Sequence, residues 1–359
     1  MPKNDFLGKG LTLTRAEERI AAGIQTMREG NIFSRDAFGA YPSTLCQLSL
    51  PTKPQLGKSE FTAKYALEGG HFGFSIFTPV EYGIPFGAYP RAIFSYVYRT
   101  LMKQKNREDG DPRTIHMGAN LRACMNRITG IDHSKITGGP RGSQTLFERQ
   151  LNSFVRSHMR FFYPGDNNRQ ERAFALFSRL RETDTQATLF GVVPGAPRWD
   201  THVRASEDLY LDAIDHAMPV DDDVLRALWP SSLRIDQYTW LNYRANELKG
   251  RPLVLSWRAL TAQFGSGYAH SSRREFRAQF RDGIKAVQRV FDVDDPQCIG
   301  FREEGEKVTL TVKHPSVPWG AQDPRRRFFA PPSLPAAAPS PDSPPDSSDA
   351  PAFSLTSEG

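Results

Sequence analysis

Between Pro90 and Lys105 apolar residues return at Ile93, Val97 and Leu101, the spacing of one helix face, and Pro90 suits a first helical turn. A short strand, RTIHM, follows. Asn120 is placed to cap a brief helix that buries Leu121, Cys124, Met125 and Ile128. The loop TGIDHSKITGGPRGS leads into a longer helix, QTLFERQLNSFVRSHM, with Phe147, Leu151, Phe154 and His158 on one face. RFFYPG and the segments after it read as strands, ATLFGVV being the clearest.

The same order returns later. Asp221 caps DDDVLRALW, the helix SLRIDQYTWLNYRANEL follows, and the strand PLVLS runs into Ser256, which caps WRALTAQF. After GSGYAHS, Ser272 and Glu275 form a capping box for RREFRAQFRDGIKAVQRVF. CIGFREE and KVTLTVK then read as two strands turning at Gly305. Helix, strand, helix, loop, long helix and hairpin, twice over, is the order of a winged helix, whose third helix lies in the DNA major groove. The expected fold is therefore α+β, with two tandem winged-helix domains.

The flanks differ. Thr14 and Glu17 form a capping box for TRAEERIAAGIQTMREG, and FTAKYAL and HFGFSIF alternate as two strands joined at Glu68-Gly69-Gly70. From about residue 320 proline, serine and alanine dominate and no periodicity survives, so a disordered tail is expected there. The expected division is a helix and linker (1–58), a first winged-helix domain with a leading hairpin (59–215), a second winged-helix domain (216–319) and the tail (320–359).

Charge sharpens this picture. The chain of 359 residues holds 46 Lys and Arg against 40 Asp and Glu. Residues 81–160 alone hold 13 basic against 6 acidic side chains, a balance suited to an anionic partner. Cys46, Cys124 and Cys298 are far apart and make no CxxC pair, which argues against a zinc knuckle or a redox pair and fits a reducing compartment. The polar start MPKNDFLGKG has no apolar signal core, and no run approaches the roughly 20 apolar residues that cross a bilayer. A soluble cytoplasmic protein without metal or cofactor is expected.

Ala262–Phe280 carries the sharpest chemistry. Gly265 and Gly267 lack the Lys-Ser/Thr of a phosphate loop and more simply turn the chain. His270 and Arg273 share the spacing of a tyrosine recombinase, yet Tyr268 is the last tyrosine in the sequence, so no nucleophile follows. No His-x-His pair serves a nicking metal, and Asp221-Asp222-Asp223 reads as a cap and first turn. In the helix from Arg273, the residues Phe276, Phe280, Ile284, Val287 and Phe291 form a buried stripe. Arg274, Arg277, Arg281 and Lys285 repeat on another side, where Asp282 is the one acid among the later arginines. Arg273 and Ser271 stand at the start, where a recognition helix meets bases and phosphate. In the first copy Arg141, Ser143, Gln144 and Arg149 are the corresponding DNA candidates. Two blander readings stay open: a solvated helix face, and a first module that only holds backbone or a partner subunit.

YGIPFGAYPRAIFSYVYRT, ITGGPRGSQTLFERQLNSF, MPVDDDVLRALWPSSLRIDQYTWLNYRANEL, WRALTAQFGSGY and FRAQFRDGIKAVQRVF together resemble the plasmid-encoded RepA-type replication initiators, over roughly residues 60–319. The resemblance implies a non-enzymatic initiator that binds repeated sites (iterons) in double-stranded origin DNA, helps open the duplex, and recruits the host initiator and replicative helicase. A homodimer in equilibrium with monomer is a further expectation. YRTLMKQKNR and the proline-rich tail depart from the family pattern. The alternatives are a winged-helix repressor, including an autorepressor, and a DNA strand-transfer enzyme.

Overall fold

The structure is a computed structural model that describes residues 14–67, 70–163, 170–179, 190–193, 196–199, 202–266, 273–293, 295 and 297–317. The expected tail, the Glu68-Gly69 turn, Ser271 and the Ser272 cap lie outside the described residues.

The chain opens with α1 (Arg15–Arg28), and Thr14 and Glu17 close the expected capping box. Next come β1 (Phe38–Pro42), α2 (Ser43–Gln47), and the antiparallel strands β2 (Glu60–Leu67) and β3 (Gly70–Phe77). The first module runs through α3 (Ala88–Gln104), β4 (Thr114–His116), α4 (Leu121–Thr129) and α5 (Ser143–Val155). Strands β5 (His158–Tyr163), β6 (Gln170–Ala175), β7 (Phe177–Arg179), β8 (Phe190–Val193), β9 (Ala196–Trp199) and β10 (His202–Ala205) follow. Helix α6 (Glu207–His216), β11 (Ala217–Asp221) and α7 (Asp222–Leu228) lead to the second module: α8 (Ser232–Leu248), β12 (Leu253–Ser256), α9 (Trp257–Phe264), α10 (Arg273–Phe291), β13 (Ile299–Glu304) and β14 (Lys307–Val312). Asn120, Asp221 and Ser256 each cap their helix through a side-chain oxygen, as their positions predict.

The second module has the expected wing. Its sheet is ordered β12-β14-β13, and Gly305 turns the hairpin at φ 62°. The first module reaches the same order by a longer route. Its sheet is β4-β10-β7, so the strand between the first two helices again pairs with the returning wing strand. The expected hairpin directly behind α5 is instead an insertion. Strands β5 and β6 join the leading hairpin in a four-stranded sheet ordered β2-β3-β5-β6. For the same reason α5 ends early: His158 does not extend its buried face but opens β5, opposite Phe77, and is exposed. Among the described residues of ATLFGVV, Phe190–Val193 pair with β9.

Each module has an aromatic core. In the first, the Phe94 and Phe154 rings meet edge to face at 4.6 Å. In the second, Trp257 meets Phe280 at 5.7 Å and Trp240 meets Phe264 at 5.2 Å. Burying each such side chain stabilises the fold by about 1.5–3 kcal/mol. All three cysteines are buried and free.

The two modules are joined by a two-stranded pairing that the sequence pattern does not announce: β1 runs antiparallel to β11, with Ala40 opposite Pro219. Beneath it the first helices of the two modules meet, and Arg91 of α3 pairs with Asp236 of α8. The Asp221-Asp222-Asp223 run serves this joint. Asp221 and Asp223 receive Arg35, and Asp222 receives Ser95 and Arg99. Burial pushes the Asp222 carboxyl up, and the Arg99 guanidinium works against that push.

Candidate nucleic-acid interface

Helix α10 is held by its apolar stripe. Phe276, Phe280, Ile284, Val287 and Phe291 are all buried. At Gly283 the helix comes so close to α8 that an added Cβ would lie 1.9 Å from Gln237 Oε1. The Gln237 amide cannot swing aside freely, because it is buried and donates to the Phe280 carbonyl at 2.8 Å. With one face fixed this way, Arg273, Arg274, Glu275, Ala278, Gln279, Asp282, Lys285 and Arg289 are left exposed.

The arginines expected to act together divide into two sets. Arg273, Arg274 and Lys285 are exposed, and among the described residues none of them has an ion-pair partner within 4 Å. Arg277 and Arg281 are half-buried and turn toward the wing. Arg277 Nη2 donates to both carboxylate oxygens of Glu306, at 2.8 and 2.6 Å. Arg281 donates Nε and Nη2 to Glu303, at 2.7 and 2.9 Å. Both guanidinium groups also approach the face of Trp257, at 5.2 and 5.4 Å from its ring centre. The hydrogen bonds from Arg277 hold the Glu306 carboxyl below its usual range, and those to Glu303 raise Arg281. The helix surface is acid-poor in sequence, but the hairpin supplies the missing acids.

In the first module Arg141 and Arg149 are exposed, while Gln144 is half-buried. Ser143 works inside the loop: its hydroxyl accepts the Thr137 backbone N–H at 3.0 Å, and its own N–H donates to Thr137 Oγ1. The exposed surface of α5 also carries Leu146, 38% accessible, which the sequence reading passed over. Gln279 and Ala278 on α10 were passed over too. Their signal was available, since Ala278 sits one helical turn from Arg274, Gln279 sits one turn from Glu275, and both lie off the apolar stripe. Arginine suits guanine, glutamine suits adenine, and an apolar side chain such as Ala or Leu suits the thymine methyl.

One mixed cluster of metal-ligand types occurs among the described residues. Asp295, Cys298 and His314 bring their ligand atoms within 4.8 Å of one another. The carboxylate already meets Lys313 and His314, each at 3.3 Å, and burial pushes the Cys298 thiol up. These contacts tie the end of α10 to the end of β14. No described helix is long and apolar enough to cross a membrane.

A crystal structure of SeMet derivatives of domains 2 and 3 of RctB is similar at 12% identity, with a TM-score of 0.43, covering 76% of this chain and 98% of that one. No curated protein matches. Residues 84–259 match the family described as plasmid-encoded RepA protein, a span that begins just before α3 and ends within α9. That match spans a little under half of the chain, and over it the chain is similar to plasmid-encoded RepA proteins.

Proposed function

We propose that the chain initiates plasmid replication by binding repeated duplex sites at the origin, without performing a covalent step on the DNA. The observation that carries this reading is the pairing of two like modules through a buried joint, each presenting exposed cations on its third helix. Helix α10 would enter one major-groove segment with Arg273, Arg274, Gln279 and Lys285. Helix α5 would enter another with Arg141, Gln144, Leu146 and Arg149. Phosphate contacts supply affinity and salt sensitivity, and base-edge contacts supply sequence. Two readers at a fixed separation favour sites repeated in one orientation, and such an assembly can help open the duplex and gather host replication proteins, the host initiator and helicase included.

Footprinting of the full chain on its own plasmid tests this. Protection of direct repeats spaced by whole helical turns supports the reading. Protection of inverted repeats over a promoter alone points to a repressor, and a covalent protein–DNA adduct points to strand transfer.

A further inference from the structure

The wing of the second module has an unusual charge. Residues 302–307 read Arg-Glu-Glu-Gly-Glu-Lys, with three acids against two bases. An acidic hairpin beside a recognition helix repels the phosphate backbone it would flank. Here two of the three carboxylates are cancelled, each by a two-bonded pair with an arginine of α10: Glu306 with Arg277 and Glu303 with Arg281.

The partners are fixed from both sides. The Glu306 carbonyl accepts the Trp257 N–H at 2.9 Å, and β13 and β14 pair in register from Ile299↔Val312 to Glu304↔Lys307. The carboxylates therefore travel with the hairpin, and Trp257 backs both guanidinium groups. The cancellation also runs the other way. Two cations on a DNA-facing element would bind any phosphate, whatever the base sequence, and each would add about 0.9 to the salt dependence of binding.

We propose that Glu303 and Glu306 are specificity-determining residues. By holding Arg281 and Arg277 against the wing, they withhold two guanidinium groups from sequence-independent phosphate contact. Recognition is left to the exposed cations and to Gln279. This rests on the DNA-binding reading above and adds to it a role for two acidic residues in discrimination.

The test compares the full chain with its Glu303→Gln/Glu306→Gln variant by fluorescence anisotropy. Duplexes with and without the origin repeats are titrated between 50 and 200 mM salt. The variant is expected to bind repeat-free duplex more tightly, with a slope of log affinity against log salt steeper by about 1.8. Its loss of affinity across that range then exceeds the wild-type loss by roughly tenfold. The ratio of specific to nonspecific affinity falls, and adding Arg277→Ala and Arg281→Ala removes the gain. An unchanged slope and unchanged nonspecific affinity overturn the proposal. So does a loss of specific binding with no nonspecific gain, which would make the carboxylates supports for reading arginines. If the wild-type chain prefers neither duplex, the DNA reading itself fails.

Discussion

Arg91 on α3 meets Asp236 on α8 through two hydrogen bonds of 2.6 Å, with side-chain exposures of 0% and 3%. The remaining guanidinium donors reach the carbonyls of Leu50, Pro51 and Gly87, so all five N–H groups of the arginine are used. A buried charge pair with its donors satisfied couples the modules through geometry more than through net energy. Removing one partner strands the other.

Arg91→Met is therefore expected to cost about 3–5 kcal/mol, because Asp236 stays buried without its cation. Arg91→Met/Asp236→Leu should recover much of that loss. Urea unfolding of the single and double variants checks both expectations. A single variant as stable as the wild type would deny the joint its role.

Gly283→Ala forces apart α10 and α8, since the new methyl meets a buried glutamine side chain held to the Phe280 carbonyl. A loss of about 1–3 kcal/mol is expected, despite alanine's better helix propensity. Chemical unfolding measures it. A gain in stability would show that the two helices part at no cost.

Acid should loosen the wing of the first module. His116 on β4 lies opposite His202 on β10, with ring centres 4.7 Å apart. Desolvation, His202 and Arg127 hold the His116 pKa below 6.5. Its Nδ1 also accepts the Gly118 N–H at 2.9 Å, a bond that a proton there would break. The folded state thus binds fewer protons than the unfolded state between the lowered pKa and about 6.5, so stability is lost as pH falls through that window. Hydrogen exchange of β4 and β10 amides at pH 7.5 and 5.5 reads this directly. His202→Gln should flatten the difference.

Legibility in the sequence followed the range of the interaction. Helices with local signals were legible: the Thr14–Glu17 box, the Asn120, Asp221 and Ser256 caps, and the stripe of α10. Non-local pairing was not. The three-residue strand β4 finds β10 across α4, α5 and β5–β9, and nothing near Thr114–His116 names that partner. The β1–β11 pairing is hidden for the same reason. Arg91 looks like a surface residue until Asp236 arrives from the other module. For the candidate interface, residue type and helix face were readable for Arg274 and Lys285. The division of Arg277 and Arg281 from them depends on Glu306 and Glu303, which reach α10 through the fold of the hairpin.

The central claim is that exposed cations on two linked recognition helices read one duplex. Specific affinity for repeat-bearing DNA, measured for Arg274→Ala, Arg149→Ala and the double variant, tests it most directly. Each single change should weaken specific binding by about 1–3 kcal/mol, and the double by about their sum, with thermal unfolding unchanged. Wild-type affinity in folded Arg274→Ala/Arg149→Ala protein would contradict the account.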